Sequence, residues 1–153
     1  MARRTGRPIS RVSAFWDTSM LVPLCVRQSA TAQALALYGR HDVVVWWSTA
    51  VEVRSALARL ARMKQLSPEA WTEARQRANS LADSWLVVEP SDALRAQAEQ
   101  LVDDYDLRVA DALQLAAALA WCEGAPQGRI FLTADQRLRA AALLSGFEPR
   151  TPL

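Results

Sequence analysis

The sequence predicts an α/β fold, with a parallel sheet of four to five strands covered by helices on both faces. Two observations lead there. Four short apolar runs, Val12–Trp16, Val43–Trp47, Trp85–Val88 and Ile130–Leu132, are continuous rather than alternating. That is the pattern of strands buried on both sides. Longer helical segments separate the runs, and strands alternating with helices build parallel sheets.

The elements follow in order. After the first run, Ser29–Tyr38 reads as a helix stopped at Gly39. Thr49–Gln65 places Val53, Leu57, Leu60 and Ala61 on one stripe. Ser67 caps the next helix, and Pro68 stands in its first turn, where a missing N–H costs nothing. Ser91–Tyr105 and Val109–Glu123 are further helices, and Gly124–Gly128, with Pro126 inside, is a loop. A last helix runs over Asp135–Ser145, and Phe147–Arg150 is a candidate edge strand.

At 153 residues the chain has room for one domain, assigned to residues 11–153, behind a basic and disordered tail at 1–10. Hydrophobic residues make up 51% and charged residues 22%, enough apolar material for a packed core. A net charge of +2 does not by itself mark a nucleic-acid binder. The basic residues are arginines except for Lys64, which suits phosphate contacts, although codon bias explains it as well. Cys25 and Cys122 have no Cys or His neighbours at zinc or disulfide spacing, so free thiols in a reducing compartment are expected. Residues 1–26 resemble a signal peptide faintly, but Asp17 interrupts the apolar stretch and no small-residue cleavage pattern follows. No apolar run is long enough to span a bilayer. A cytoplasmic location is expected.

Four acids carry the chemistry. Asp17 directly follows the first strand, and Asp135 follows the fourth, so both fall at the carboxyl ends where parallel sheets place their functional crevice. Either one, taken alone, is equally well a helix cap. Glu52 lies one turn into the helix after the second strand; a solvated surface glutamate is the competing interpretation. Asp111 is more informative. Between Val109 and Trp121 only Asp111 and Gln114 are polar, so this helix reads as buried. A carboxylate there must be hydrogen-bonded, protonated, paired or metal-bound, and the free N–H groups of a helix start are one way to satisfy it. Carboxylates facing one another raise each other's pKa, and a divalent ion relieves the repulsion. Mg²⁺ prefers oxygen ligands, keeps several waters, and can activate water for in-line phosphoryl displacement. Other chemistries fit poorly. His41 is the only histidine and is expected in a solvated turn over Gly39–Asp42, and no Gly-rich phosphate loop is present.

Four segments in order resemble the PIN domain, specifically the VapC-type toxin nucleases of bacterial toxin–antitoxin pairs. They are Asp17-Thr18-Ser19-Met20-Leu21-Val22-Pro23-Leu24, Ser48-Thr49-Ala50-Val51-Glu52-Val53, the stretch from Val109 to Ala118 around Asp111, and Phe131-Leu132-Thr133-Ala134-Asp135 continuing to Ala141. The resemblance implies a three-layer α/β/α fold, often dimeric, and an endoribonuclease dependent on Mg²⁺ or Mn²⁺ and silenced by an antitoxin. It makes Asp17, Glu52, Asp111 and Asp135 the catalytic and metal-holding quartet. It puts Thr18, Ser19 and Thr133 where small hydroxyl residues orient the acids. The arginine-rich 1–10 extension departs from the pattern, since such proteins start close to the first strand.

Arg54, Arg59 and Arg62, with Lys64, Arg75 and Arg77, form a candidate RNA-binding rim, although an ordinary solvated face has the same composition. Trp16, Trp46 and Trp85 are expected in the core, and Trp71, on a charged helix, at an exposed contact with an antitoxin or second subunit. The competing interpretations of the whole are a PIN-like module that binds RNA or a partner without cutting, and a small-molecule phosphohydrolase.

Overall fold

The structure is a computed structural model that describes residues 11–150. The tail assigned to residues 1–10 lies outside the described residues, as do residues 151–153. In chain order the elements are β1 (Val12–Trp16), α1 (Thr18–Cys25), α2 (Thr31–Tyr38), β2 (His41–Trp46), α3 (Thr49–Arg62), α4 (Pro68–Ala82), β3 (Leu86–Val88), α5 (Asp92–Asp104), α6 (Val109–Trp121), β4 (Ile130–Leu132), α7 (Gln136–Ser145) and β5 (Glu148–Arg150).

The five strands form one parallel sheet in the order β3-β2-β1-β4-β5. The continuous apolar runs of β1, β2 and β4 feed two cores at once. Ala14, Trp16, Val43, Val45, Ile130 and Leu132 pack with α1, α3 and α4, through Leu21, Leu57 and Ala74 among others. The alternate residues Phe15, Val44, Trp46 and Phe131 pack with α5, α6 and α7. Period-two alternation in the strand thus becomes a three-layer sandwich.

Several sequence expectations need correcting. Strand β2 starts two residues earlier than expected, and His41 is its first residue rather than a solvated turn residue; it is buried, with Nδ1 3.1 Å from the Val12 carbonyl oxygen. Strand β3 is not buried on both faces, because it is the sheet edge; Leu86 and Val87 are exposed, and Trp85 stands before the strand, half-buried. Helix α6 is apolar but not buried all round: Val109 is exposed in its first turn.

The helix ends follow local chemistry. Ser67 Oγ accepts from the Ala70 N–H at 3.1 Å and Ser91 Oγ from the Leu94 N–H at 3.0 Å, each satisfying a free donor of the first turn. Helix α7 ends at Gly146, whose φ of 104° is left-handed; a Cβ there would also stand 3.1 Å from Pro126 Cγ. Pro149 sits in edge strand β5, where a missing donor is tolerated. Among the described residues no helix is long and apolar enough to cross a membrane.

The strand order positions the site. The chain runs outward from β1 through β2 to β3, then returns to lay β4 and β5 on the opposite side of β1. The carboxyl ends of β1 and β4 therefore flank a topological switch point, where parallel sheets open a crevice. The Asp17 N–H donates to the Leu132 carbonyl at 2.9 Å and holds the two strand ends together.

Phe131 is fully buried, stacked on Phe15 with centroids 5.3 Å apart and tilted against Phe147 at 5.5 Å. Phe131→Ala is expected to destabilise the fold by about 3–5 kcal/mol, read as a lowered urea midpoint. A loss below about 1 kcal/mol would show that this layer does not hold the sheet.

Candidate active site

Asp17 ends β1 and opens α1, but its carboxylate makes no cap. Instead Oδ2 accepts from Ser19 Oγ at 2.6 Å and from Thr133 Oγ1 at 2.9 Å. Both hydroxyls are held in turn: Ser19 Oγ accepts from the Ala134 N–H at 2.9 Å, and Thr133 Oγ1 from the Asp135 N–H at 3.0 Å. This relay ties the end of β1 to the end of β4. Burial raises the Asp17 pKa, the Ser19 and Thr133 hydroxyls pull it back, and the Glu52 charge adds a smaller upward push.

Glu52, in the first turn of α3, is not a solvated surface residue. Its Oε1 accepts from Ser48 Oγ at 2.7 Å, and its Oε2 accepts from Thr18 Oγ1 at 2.6 Å and from Gln114 Nε2 at 2.9 Å. Asp135 does cap its helix, accepting from the Leu138 N–H at 2.8 Å. Asp111 lies half-buried in the first turn of α6, and its pKa is pushed up to about 6. Burial is the largest cause; the charges of Asp135, Asp17 and Glu52 add to it and Arg108 opposes them.

All four acids line one open cleft, together with Thr18, Ser19, Gln28 and Arg59. Among the described residues no three acidic, histidine or cysteine side chains close into a ready-made metal cage. The donor set is nevertheless all oxygen, anionic and open to water. It fits a hard cation such as Mg²⁺, which needs one or two carboxylates and retains its own waters.

The structure separates the expected RNA-binding rim. Arg59 lines the acidic cleft, whereas Arg54 Nη2 donates to Asn79 Oδ1 at 2.7 Å and Arg62 borders a different hollow beside Trp71. Trp71 is not the exposed indole: it is half-buried, with the Arg75 guanidinium 4.4 Å above its ring. Trp47, which follows β2, is 56% exposed and takes that place. Sequence reasoning assigned no role to Ser48 or Gln114, although Gln114 was the second polar residue of an otherwise apolar helix, one turn from Asp111.

A five-stranded parallel sheet between helical layers, with carboxylates at its switch point, defines an α/β domain built around an open oxygen-donor cleft. Residues 14–144 match the PIN domain model, and the chain belongs to the PIN-domain family. No curated protein matches it by sequence. Solved structures similar to it include a toxin-antitoxin complex from Klebsiella pneumoniae, with a TM-score of 0.66 and 19% identity over 92% of this chain and 98% of that one. PAE2754 from Pyrobaculum aerophilum has a TM-score of 0.64 and 21% identity over 90% and 89%. VapBC2 from Rickettsia felis, bound to a DNA fragment from their promoter, has a TM-score of 0.63 and 9% identity over 92% and 98%. At these identities the likeness is one of fold.

The raised Asp111 pKa fixes the sign of a pH effect. Between the ordinary value of 3.8 and about 6, the folded chain binds more protons at this position than the unfolded chain. Stability therefore falls as pH rises through that window and levels off above it. In chelator, wild type is expected to match Asp111→Asn near pH 4 and to melt lower than Asp111→Asn at pH 7. Equal melting temperatures at both pH values would show that burial and the neighbouring acids do not disfavour the Asp111 charge.

Proposed function

We propose that this PIN-domain chain is a metal-dependent endoribonuclease and the toxin of a toxin–antitoxin pair. The observation that carries the proposal is the single cleft lined by Asp17, Glu52, Asp111 and Asp135, which come from four separate segments of the chain. The four acids are the residues that would hold Mg²⁺ or Mn²⁺. Such an ion supplies a water of lowered pKa and stabilises the charge of an in-line phosphoryl displacement. The chain's own groups prepare the place. Ser19 and Thr133 fix the Asp17 carboxylate, and Ser48 and Thr18 fix that of Glu52. Arg59, at the rim of the same cleft, offers a guanidinium to an RNA phosphate.

The partner follows from charge. An acidic cleft that accepts a metal ion also accepts a cationic side chain, so an antitoxin arginine or lysine inserted there would silence the site. Similar folds come from structures described as a toxin-antitoxin complex and as VapBC2, which supports a partner of that kind. A homodimer is part of the proposal. Two buried free thiols, with the Cys25 pKa pushed up to about 11 by burial, suit a reducing cytoplasm.

Purified protein with Mg²⁺ is expected to cut a pool of structured RNAs, and Asp17→Asn to lose more than about a hundredfold of that activity, beyond what losing a ligand-orienting partner costs. A folded, metal-loaded wild type that binds RNA without cutting it would favour the non-cleaving module. Hydrolysis of a generic phosphomonoester in place of RNA would favour the phosphohydrolase.

A further inference from the structure

Gln114 lies outside the acidic quartet, yet it is a buried polar group bonded directly to one of its members. It is 1% exposed and sits on α6 three residues after Asp111, so both face the same side of that helix. Asp111 meets the cleft, and Gln114 stands one turn deeper, between α6 and the starts of α1 and α3. Its Nε2 lies 2.9 Å from Glu52 Oε2, 3.2 Å from Thr18 Oγ1 and 3.3 Å from Thr49 Oγ1.

The amide's orientation is set by its neighbours. Glu52 is an acceptor only, so the group facing it must be the NH₂ and not the carbonyl. Thr18 spends its hydroxyl proton on Glu52 and keeps lone pairs for the second N–H of Gln114. The amide carbonyl oxygen, in contrast, is buried with no hydrogen-bond partner among the described residues. A buried acceptor left unmade opposes folding, and leucine or methionine at this position would avoid it. The polar half of this side chain therefore works through its two N–H groups alone, with its shortest contact on Glu52 and longer ones on Thr18 and the buried Thr49.

We propose that Gln114 is a positioning residue for the metal site: its amide fixes the Glu52 carboxylate, which has no ion-pair partner among the described residues. The inference rests on the metal-dependent reading above. With Thr18 and Gln114 both on Oε2 and Ser48 alone on Oε1, the carboxylate is clamped from three elements, α1, α6 and the α3 start. A clamped ligand loses less conformational freedom on binding an ion, and partners that orient metal ligands carry measurable affinity.

The test is Mn²⁺ affinity of the purified chain without RNA, read by titration calorimetry. Gln114→Met keeps the side-chain length and removes the donor; Gln114→Leu is the second variant, and both are checked by circular dichroism. Each is expected to weaken Mn²⁺ binding about tenfold to a hundredfold, the usual loss for a ligand-orienting partner. In a Glu52→Ala background, Gln114→Met should change affinity less than about twofold, because there is no carboxylate left to position. A purely structural role would give the same loss in both backgrounds and would overturn the inference. So would wild-type affinity in Gln114→Met, or failure of both variants to fold, which would make the amide a packing element. Wild type that neither binds Mn²⁺ nor cuts RNA would overturn the nuclease reading itself, and this inference with it.

Discussion

Carboxylates crowded at one edge of a parallel sheet repel one another, and the rest of this structure is arranged around that repulsion. The strand order makes the crowding unavoidable: β1 and β4 are neighbours whose chains leave in different directions, and an acid follows each. Two further helices, α3 and α6, point their first turns at the same cleft and bring Glu52 and Asp111. Hydroxyls, one amide and a helix N-terminus absorb part of the charge. What they leave is visible at Asp111, which burial first and the other three acids second push toward its neutral form.

The four acids are held differently, and the differences have physical consequences. Asp17 is buried and tied to two hydroxyls that are themselves tied to the β4 loop, so its position depends on the sheet staying closed. Glu52 depends on helices α1 and α6 instead. Asp135 shares its carboxylate with the Leu138 N–H in the first turn of α7. A substitution far from the cleft that shifts α6 against α3 would move Glu52 before it moved Asp17. Packing of the two cores and geometry of the site are therefore one problem, linked through the β1–β4 pair and through α6.

Much of the fold was legible because both strand and helix patterns are strong here. Continuous apolar runs marked β1, β2 and β4, since both faces of those strands are covered. The same rule misjudged β3, where an edge strand leaves Leu86 and Val87 exposed, because an apolar run does not say how many neighbours a strand has. His41 was misplaced for a related reason: a lone histidine beside Gly39 and Arg40 looks like turn chemistry, and only pairing with Val12 draws it into the sheet.

Placing the four acids in one cleft was possible from position alone, since each lies at or near a helix start at the carboxyl edge. Their partners were less legible. The family resemblance put Ser19 and Thr133 beside the acids, although Thr133 reaches Asp17 across 116 positions; Ser48 and Gln114 had no role in the sequence reading, and Gln114 reaches Glu52 across 62. Such contacts depend on crossing geometry that periodicity does not encode. The arginine rim divides for the opposite reason: Arg54, Arg59 and Arg62 are close in sequence, but helical rotation sends them to three different surroundings, and only Arg59 of the three lines the acidic cleft. The most direct measurement of the shared cleft is a crystal structure grown with Mn²⁺ and phased on its anomalous signal. An anomalous peak bounded by Asp17, Glu52, Asp111 and Asp135 is the expected result; a cleft without one, at Mn²⁺ concentrations that occupy other sites on the protein, would contradict it.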